Sequence, residues 1–225
     1  MIDDNWDLIN GEAAHAIEVL NYSNQVNVIE ALVRLLTHRH GVGDQGCNAS
    51  PNINVLKEFH RTATLFLLHK PGEYRTNQVH VATQDGVIVH MPPPHNEVEG
   101  HMENFFRLIH ERWKEADAVA MGAFALWVVN WVHPFQNGNG RSARAFCYAC
   151  ICLKIGFFLP GSPTVIDLIM QNRDEYQQAL KVADDAYAKT GEPELGPMNT
   201  FVGRLLVEQL STVPAEEVEE IDDPA

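Results

Sequence analysis

The sequence predicts an all-α fold with one inserted β-hairpin. Three observations lead there. Apolar residues recur at helical spacing over most of the chain. One stretch, carrying Val79, Val81, Val87 and Val89, alternates with polar residues at period two. Two long apolar runs, before His133 and after Gly140, have the composition of buried helices.

Taken in order, residues 13–37 form the first predicted helix, with Ile17, Leu20, Val28, Ile29, Leu32 and Leu36 recurring at helical spacing. His38, Arg39 and His40 follow, where positive side chains suit a helix C-terminus. Residues 41–51 read as a loop. Residues 52–69 form the second helix, with Ser50-Pro51 as cap and first turn and Lys70-Pro71-Gly72 as its stop. The hairpin turns at Gln84-Asp85-Gly86, and Pro92-Pro93-Pro94 leaves it in extended form. Further helices are predicted over 97–114, 116–131, 139–155, 173–189 and 198–210, with breaks at Gly161-Ser162-Pro163 and over 191–197.

With 225 residues and 45% hydrophobic composition, the chain can bury one full-sized core. The expected division is an N-terminal helical segment over 1–50, a main domain over 51–212, and an acidic, disordered tail over 213–225. Six acidic residues of that tail (Glu216, Glu217, Glu219, Glu220, Asp222, Asp223) account for part of the net charge of -14, and the rest of the chain carries -8. Such a body does not suit non-specific binding to nucleic acid. No run of eighteen apolar residues suggests a membrane span, and the acidic start does not resemble a signal peptide, so a cytoplasmic location is expected.

The chemistry concentrates in residues 133–144, His-Pro-Phe-Gln-Asn-Gly-Asn-Gly-Arg-Ser-Ala-Arg. Pro134 stops one apolar helix, so His133 enters a loop at a helix end. Phe135 is expected to pin that loop to the core. Gly138 and Gly140 then open a second buried helix, whose leading N–H groups and dipole make an anion site. Arg141 and Arg144 are three apart in its first turn and offer forked donors to phosphate oxygens. An imidazole with its ordinary pKa of about 6.5 is largely neutral at pH 7 and can take a proton from an attacking hydroxyl. The amide oxygens of Asn137 and Asn139 could ligate magnesium or hold a phosphate.

This segment resembles the signature of the Fic (Fido) family, His-Pro-Phe-x-Asp/Glu-Gly-Asn-Gly-Arg-x-x-Arg. Gly72-Glu-Tyr-Arg75, Pro92-Pro-Pro94, and Arg173-Asp-Glu-Tyr176 with Ala179-Leu180 are similar to family patterns as well. The resemblance implies a protein adenylyltransferase that moves AMP from ATP to a Tyr, Thr or Ser hydroxyl of a target protein and releases pyrophosphate. His133 would be the base. Gly138, Asn139 and Gly140 would hold the α-phosphate, and Arg141 and Arg144 the outer phosphates. The hairpin would be the family's flap, binding target by strand addition near Val79, His80 and Val81. ATP is implied as co-substrate, with Mg2+ or Mn2+. Asn137 stands where the family has a metal-ligating Asp or Glu, so weaker metal binding is expected. Tyr176 is a candidate wall for adenine.

The family often restrains itself with a glutamate in the pattern Ser/Thr-x-x-x-Glu-Gly/Asn, which pairs with the last arginine of the signature. Thr190 with Glu194 and Thr212 with Glu216 have the spacing but no following Gly or Asn, and Ser23 leads to an amide, Asn27. Restraint is therefore expected from a separate inhibitory protein, or not at all. Related activities stay open: transfer of another nucleotide or phosphate-containing group, or removal of AMP. So does a module that binds nucleotide or peptide without transfer.

Two other motifs carry little. Gly41, Gly43 and Gly46 match a dinucleotide fingerprint by spacing, but no strand precedes them. Cys147, Cys150 and Cys152 lie within an apolar helix and read as core rather than as zinc ligands.

Overall fold

The computed structural model describes residues 6–83 and 85–214, and among these it is helical apart from two small hairpins. The chain divides into two compact units, the first ending at Gly156 and the second starting at Phe157. Gln84 of the predicted turn and the acidic stretch from residue 215 lie outside the described residues.

The first unit is built around a pair of helices, α4 (Ala118–Val132) and α5 (Asn139–Ile155). Ten of the fifteen residues of α4 and thirteen of the seventeen of α5 are buried, which is why α4 and the stretch of α5 from Ala145 to Leu153 are apolar nearly throughout. Gly122 lets the two approach closely: a Cβ there would lie 2.7 Å from Ile151 Cγ1. Asp117 caps α4 by accepting from the Ala120 N–H at 2.7 Å. Cys147, Cys150 and Cys152 are core, and burial raises the thiol pKa of Cys147 and Cys150.

Helix α1 (Gly11–His40) packs on α2 (Ile53–Thr64) and α5. Its buried line is Ala14, Asn21, Gln25, Ile29 and Val33, whereas Leu20 is 64% exposed. The line differs from the apolar one read from the sequence because two of its members are amides. Asn21 donates to the carbonyls of Ala63 and Leu65, and Gln25 to that of Phe59 at 2.8 Å. The Asn21 bonds satisfy carbonyls at the end of α2, which stops at Thr64, five residues earlier than expected. Its cap is Asn52, accepting from the Asn54 N–H, rather than Ser50. Within the expected loop, β1 (Val42–Gly43) and β2 (Gly46–Cys47) pair as a short antiparallel hairpin.

The expected hairpin is present but shorter: β3 (Val81–Ala82) pairs antiparallel with β4 (Ile88–His90), Val81 opposite His90, with a bulge between Val81 and Ala82. Helix α3 (Val98–Arg112) follows a single 3-10 turn and brings Met102, Phe105 and Ile109 into the core.

The second unit holds α6 (Val165–Gln171), α7 (Arg173–Thr190) and α8 (Gly196–Leu210). Helix α6 was not expected from the sequence, where Gly161-Ser162-Pro163 reads as a break. A capping box between Thr164 and Asp167 starts it. Buried Gln209 accepts from the Val165 N–H and donates to the Pro160 carbonyl.

Candidate active site

Helix α4 ends with His133 in the left-handed conformation, φ 51° and ψ 59°. Few non-glycine residues adopt it without a compensating constraint. Pro134 follows and Phe135 is fully buried, so the chain turns sharply there. The ring Nδ1 of His133 lies 3.3 Å from the Asn130 carbonyl, which favours the tautomer with Nδ1 protonated and leaves Nε2 with its lone pair. Burial lowers the His133 pKa to about 4 against the backbone bond to Asn130, and the charge of Arg75 adds a smaller push down.

The loop after His133 is held from inside. Asn139 is buried, and its side chain closes on one residue: Oδ1 accepts from the Phe135 N–H and Nδ2 donates to the Phe135 carbonyl, both at 2.8 Å. Its amide thus shapes the loop. The Asn137 Oδ1 accepts from the Gly138 N–H at 2.6 Å. Gly138 has φ 75°, and a Cβ there would lie 2.6 Å from Thr64 Cγ2. Helix α5 begins immediately after it, with no side-chain cap, so the leading N–H groups face the loop mouth.

His60 supports the loop from α2 and was not singled out in the sequence. Its Nδ1 accepts from the Gly72 N–H at 2.7 Å, so Nε2 carries the proton and donates to the Asn137 carbonyl at 2.9 Å. Its ring stacks on Phe135 at 3.7 Å between centroids. Burial lowers its pKa to about 4. A fully buried histidine in the helix before a glycine loop is ambiguous by sequence, because its partners lie 12 and 77 residues away.

Arg141 meets a partner that sequence patterns did not flag. Its Nη2 is 2.9 Å from Glu18 Oε1, on α1. Trp6 covers the pair: its indole N–H donates to Glu18 at 2.6 Å and its ring lies 4.9 Å from the Arg141 guanidinium carbon. An acid of this chain thus sits on the first arginine of the signature. Glu18, half-buried, falls four residues after Ala14 and three before Asn21, in register with the buried line of α1. A lone acid on such a line calls for a cation, and that is the signal by which it could have been found. Arg144 lies one turn on, its Nη1 3.2 Å from where a Gly140 Cβ would be.

Of the flap residues, Val79 and Val81 are half-buried and His80 is exposed. Val87 and, in β4, Ile88 and Val89 are each more than half exposed. Tyr176 is buried in the second unit with its ring stacked on Phe201 at 6.1 Å. Among the described residues no group of three or more His, Cys, Asp or Glu side chains is arranged to hold a metal. The donors here do not amount to a protein-built magnesium site: Asn137 brings one neutral oxygen that already accepts a bond from Gly138. No helix among the described residues is long and apolar enough to cross a membrane.

A histidine at one helix end stands beside a glycine-opened helix start, an arrangement suited to an anion. Residues 51–151 match the model of the Fic/DOC family. That segment of the chain is similar to the Fic/DOC family. It is 30% identical to the protein adenylyltransferase Fic of Drosophila persimilis over 115 residues, 51% of this chain and 20% of the fly protein. The chain thus spans about a fifth of that relative's length. Its fold is shared with a Fic domain containing signaling protein from Bacteroides thetaiotaomicron, at TM-score 0.65 and 17% identity over 93% of this chain and 76% of that one. A Fic family protein from Desulfovibrio desulfuricans is similar at TM-score 0.63 and 18% identity, over 96% of this chain and 57% of that one.

Proposed function

We propose that the protein is a Fic-type adenylyltransferase that moves AMP from ATP to a Tyr, Thr or Ser hydroxyl of a target protein. The observation that carries this reading is His133 held neutral at the end of α4, its Nδ1 on the Asn130 carbonyl, beside the open start of α5.

In the step envisaged, His133 Nε2 takes the hydroxyl proton as the oxygen attacks the α-phosphorus. The bond from that phosphorus to the bridging oxygen breaks, and pyrophosphate leaves with the electron pair. Charge growing on the α-phosphate oxygens is met by the N–H groups at the start of α5 and by its dipole. Asn139 contributes by holding Phe135 and the loop in shape. Arg141 and Arg144 take the outer phosphates, which requires Arg141 to leave Glu18. A divalent ion brought with ATP would supply neutralising charge, with Asn137 as the side chain of this protein that would meet it. The flap segment around Val79, His80 and Val81 presents the target strand. Glu18 is a source of restraint within the chain, so a separate inhibitory protein is not needed for it.

The test is incubation with ATP labelled on the α-phosphate, magnesium or manganese, and cell lysate, with His133→Ala in parallel. Label on protein that falls by roughly 10²–10⁴ in the variant supports transfer by this base. Nucleotide binding without transfer supports the binding-module reading, for which Asn137 is the favouring observation. Label from the γ-phosphate indicates a different transferred group. With the His133 pKa near 4, transfer holds as pH falls through 6.5 and is lost only toward 4. Asn137→Asp raises the affinity for magnesium in the presence of ATP, read by titration calorimetry.

A further inference from the structure

The segment Gly72-Glu-Tyr-Arg75 takes no part in the transfer just described, yet Arg75 is buried, at 4% exposure. Its guanidinium is spent on backbone carbonyls. Nε donates to the His133 carbonyl at 2.8 Å, and Nη2 to Pro93 at 2.6 Å and Val132 at 3.4 Å. Nη1 donates to Asn77 at 3.1 Å, and the Arg75 backbone N–H reaches Pro134 at 2.9 Å.

These acceptors fall into two groups. Val132 and His133 are at the C-terminal end of α4, where the last carbonyls of a helix have no partner within it. Asn77 and Pro93 are the two feet of the flap, four residues before β3 and three after β4. His90, in β4, adds a third bond of the same kind, Nε2 to the Trp131 carbonyl at 2.8 Å. The carbonyls of residues 131, 132 and 133 are thus all met by side chains from the flap and its base.

We propose that Arg75 is a positioning residue for His133. Its single guanidinium ties the end of α4, which presents that histidine, to both feet of the flap. The flap that receives the target and the base that deprotonates it are held in one register. This rests on the transfer reading above. Only a planar fork with donors on three nitrogens reaches all four carbonyls, and a lysine ammonium does not. The left-handed turn at His133 is the kind of conformation that persists only when its surroundings fix it.

The test uses Arg75→Lys and Arg75→Gln in the full chain, with two readouts. The first is transfer kinetics. Both variants lower kcat by roughly 10²-fold, the cost of misplacing a reacting group by about an ångström, while KM for ATP changes by less than about threefold. The second is amide hydrogen exchange without nucleotide. Residues 78–90 and residues 130–135 lose protection together in both variants. If Arg75→Lys keeps wild-type kcat, or only one of the two segments loosens, the proposal is overturned. If KM for ATP rises with kcat unchanged, Arg75 serves the phosphate site and the proposal also fails. Should Arg75→Gln not fold, Arg75→Lys carries both readouts. Should the wild-type chain transfer nothing, the functional reading fails while the exchange experiment still decides the joint.

Discussion

The α4–α5 pair and helix α1 belong to the same unit but are buried by different means. The pair buries mostly apolar surface, and that part of its burial needs no particular partner. Helix α1 buries two amides and sets a half-buried acid beside them, each matched to a named acceptor or cation. The first kind of burial is legible from composition. The second is legible only when the partner is known, because a polar group is tolerated inside only if its bonds are met.

The largest effect is expected at Gly138, where the pair's loop touches α2. Gly138→Ala places a side chain at φ 75° and within 2.6 Å of Thr64 Cγ2. Left-handed strain plus overpacking costs about 2–4 kcal/mol. A lower thermal midpoint together with weakened ATP binding is the expected result. An unchanged midpoint would mean that the loop relaxes and that the close approach is not needed.

Next is the acid side of the stability curve. His60 is buried and neutral, with its folded pKa lowered from 6.5 to about 4. Between those values the unfolded chain binds the extra proton, so stability falls as pH drops from 6.5 to 4, by up to about 3 kcal/mol at full protonation of the unfolded state. His60→Asn removes that contribution to the slope, and denaturant unfolding at pH 7 and pH 5 measures it. An unchanged difference between the two pH values would assign the acid sensitivity elsewhere, with His133 the next group to test by its own shift.

The smallest effect separates the two regions most cleanly. Glu18→Gln keeps the size of the side chain on α1 and removes its charge from Arg141. Both side chains keep some contact with solvent, and the loss of the pair lowers stability by about 1 kcal/mol. ATP affinity rises about three- to tenfold, because Arg141 no longer has to leave a carboxylate, and calorimetric titration reads it. Unchanged affinity would make Glu18 a packing contact of α1 rather than a restraint on the phosphate site.

The sequence by itself determined the helical class, the hairpin that turns near Asp85-Gly86, and the loop from His133 to Gly138. Pro134, the two glycines and the flanking apolar runs leave few other conformations open. Helix α5 starts and ends where its pattern says, at Asn139 and Ile155. Sequence did not determine where α2 stops, because Asn21 on another helix takes its last carbonyls. It did not reveal α6, whose start depends on a short capping box after a break. Nor did it assign His60, Arg75 and Glu18, whose partners are distant in the chain. Asn139 is the instructive residue between the two: its presence in the loop was plain, but only folding showed both ends of its amide closed on Phe135. Local pattern fixes what can be satisfied locally. Buried polar groups take their meaning from partners that only tertiary structure brings within 3 Å.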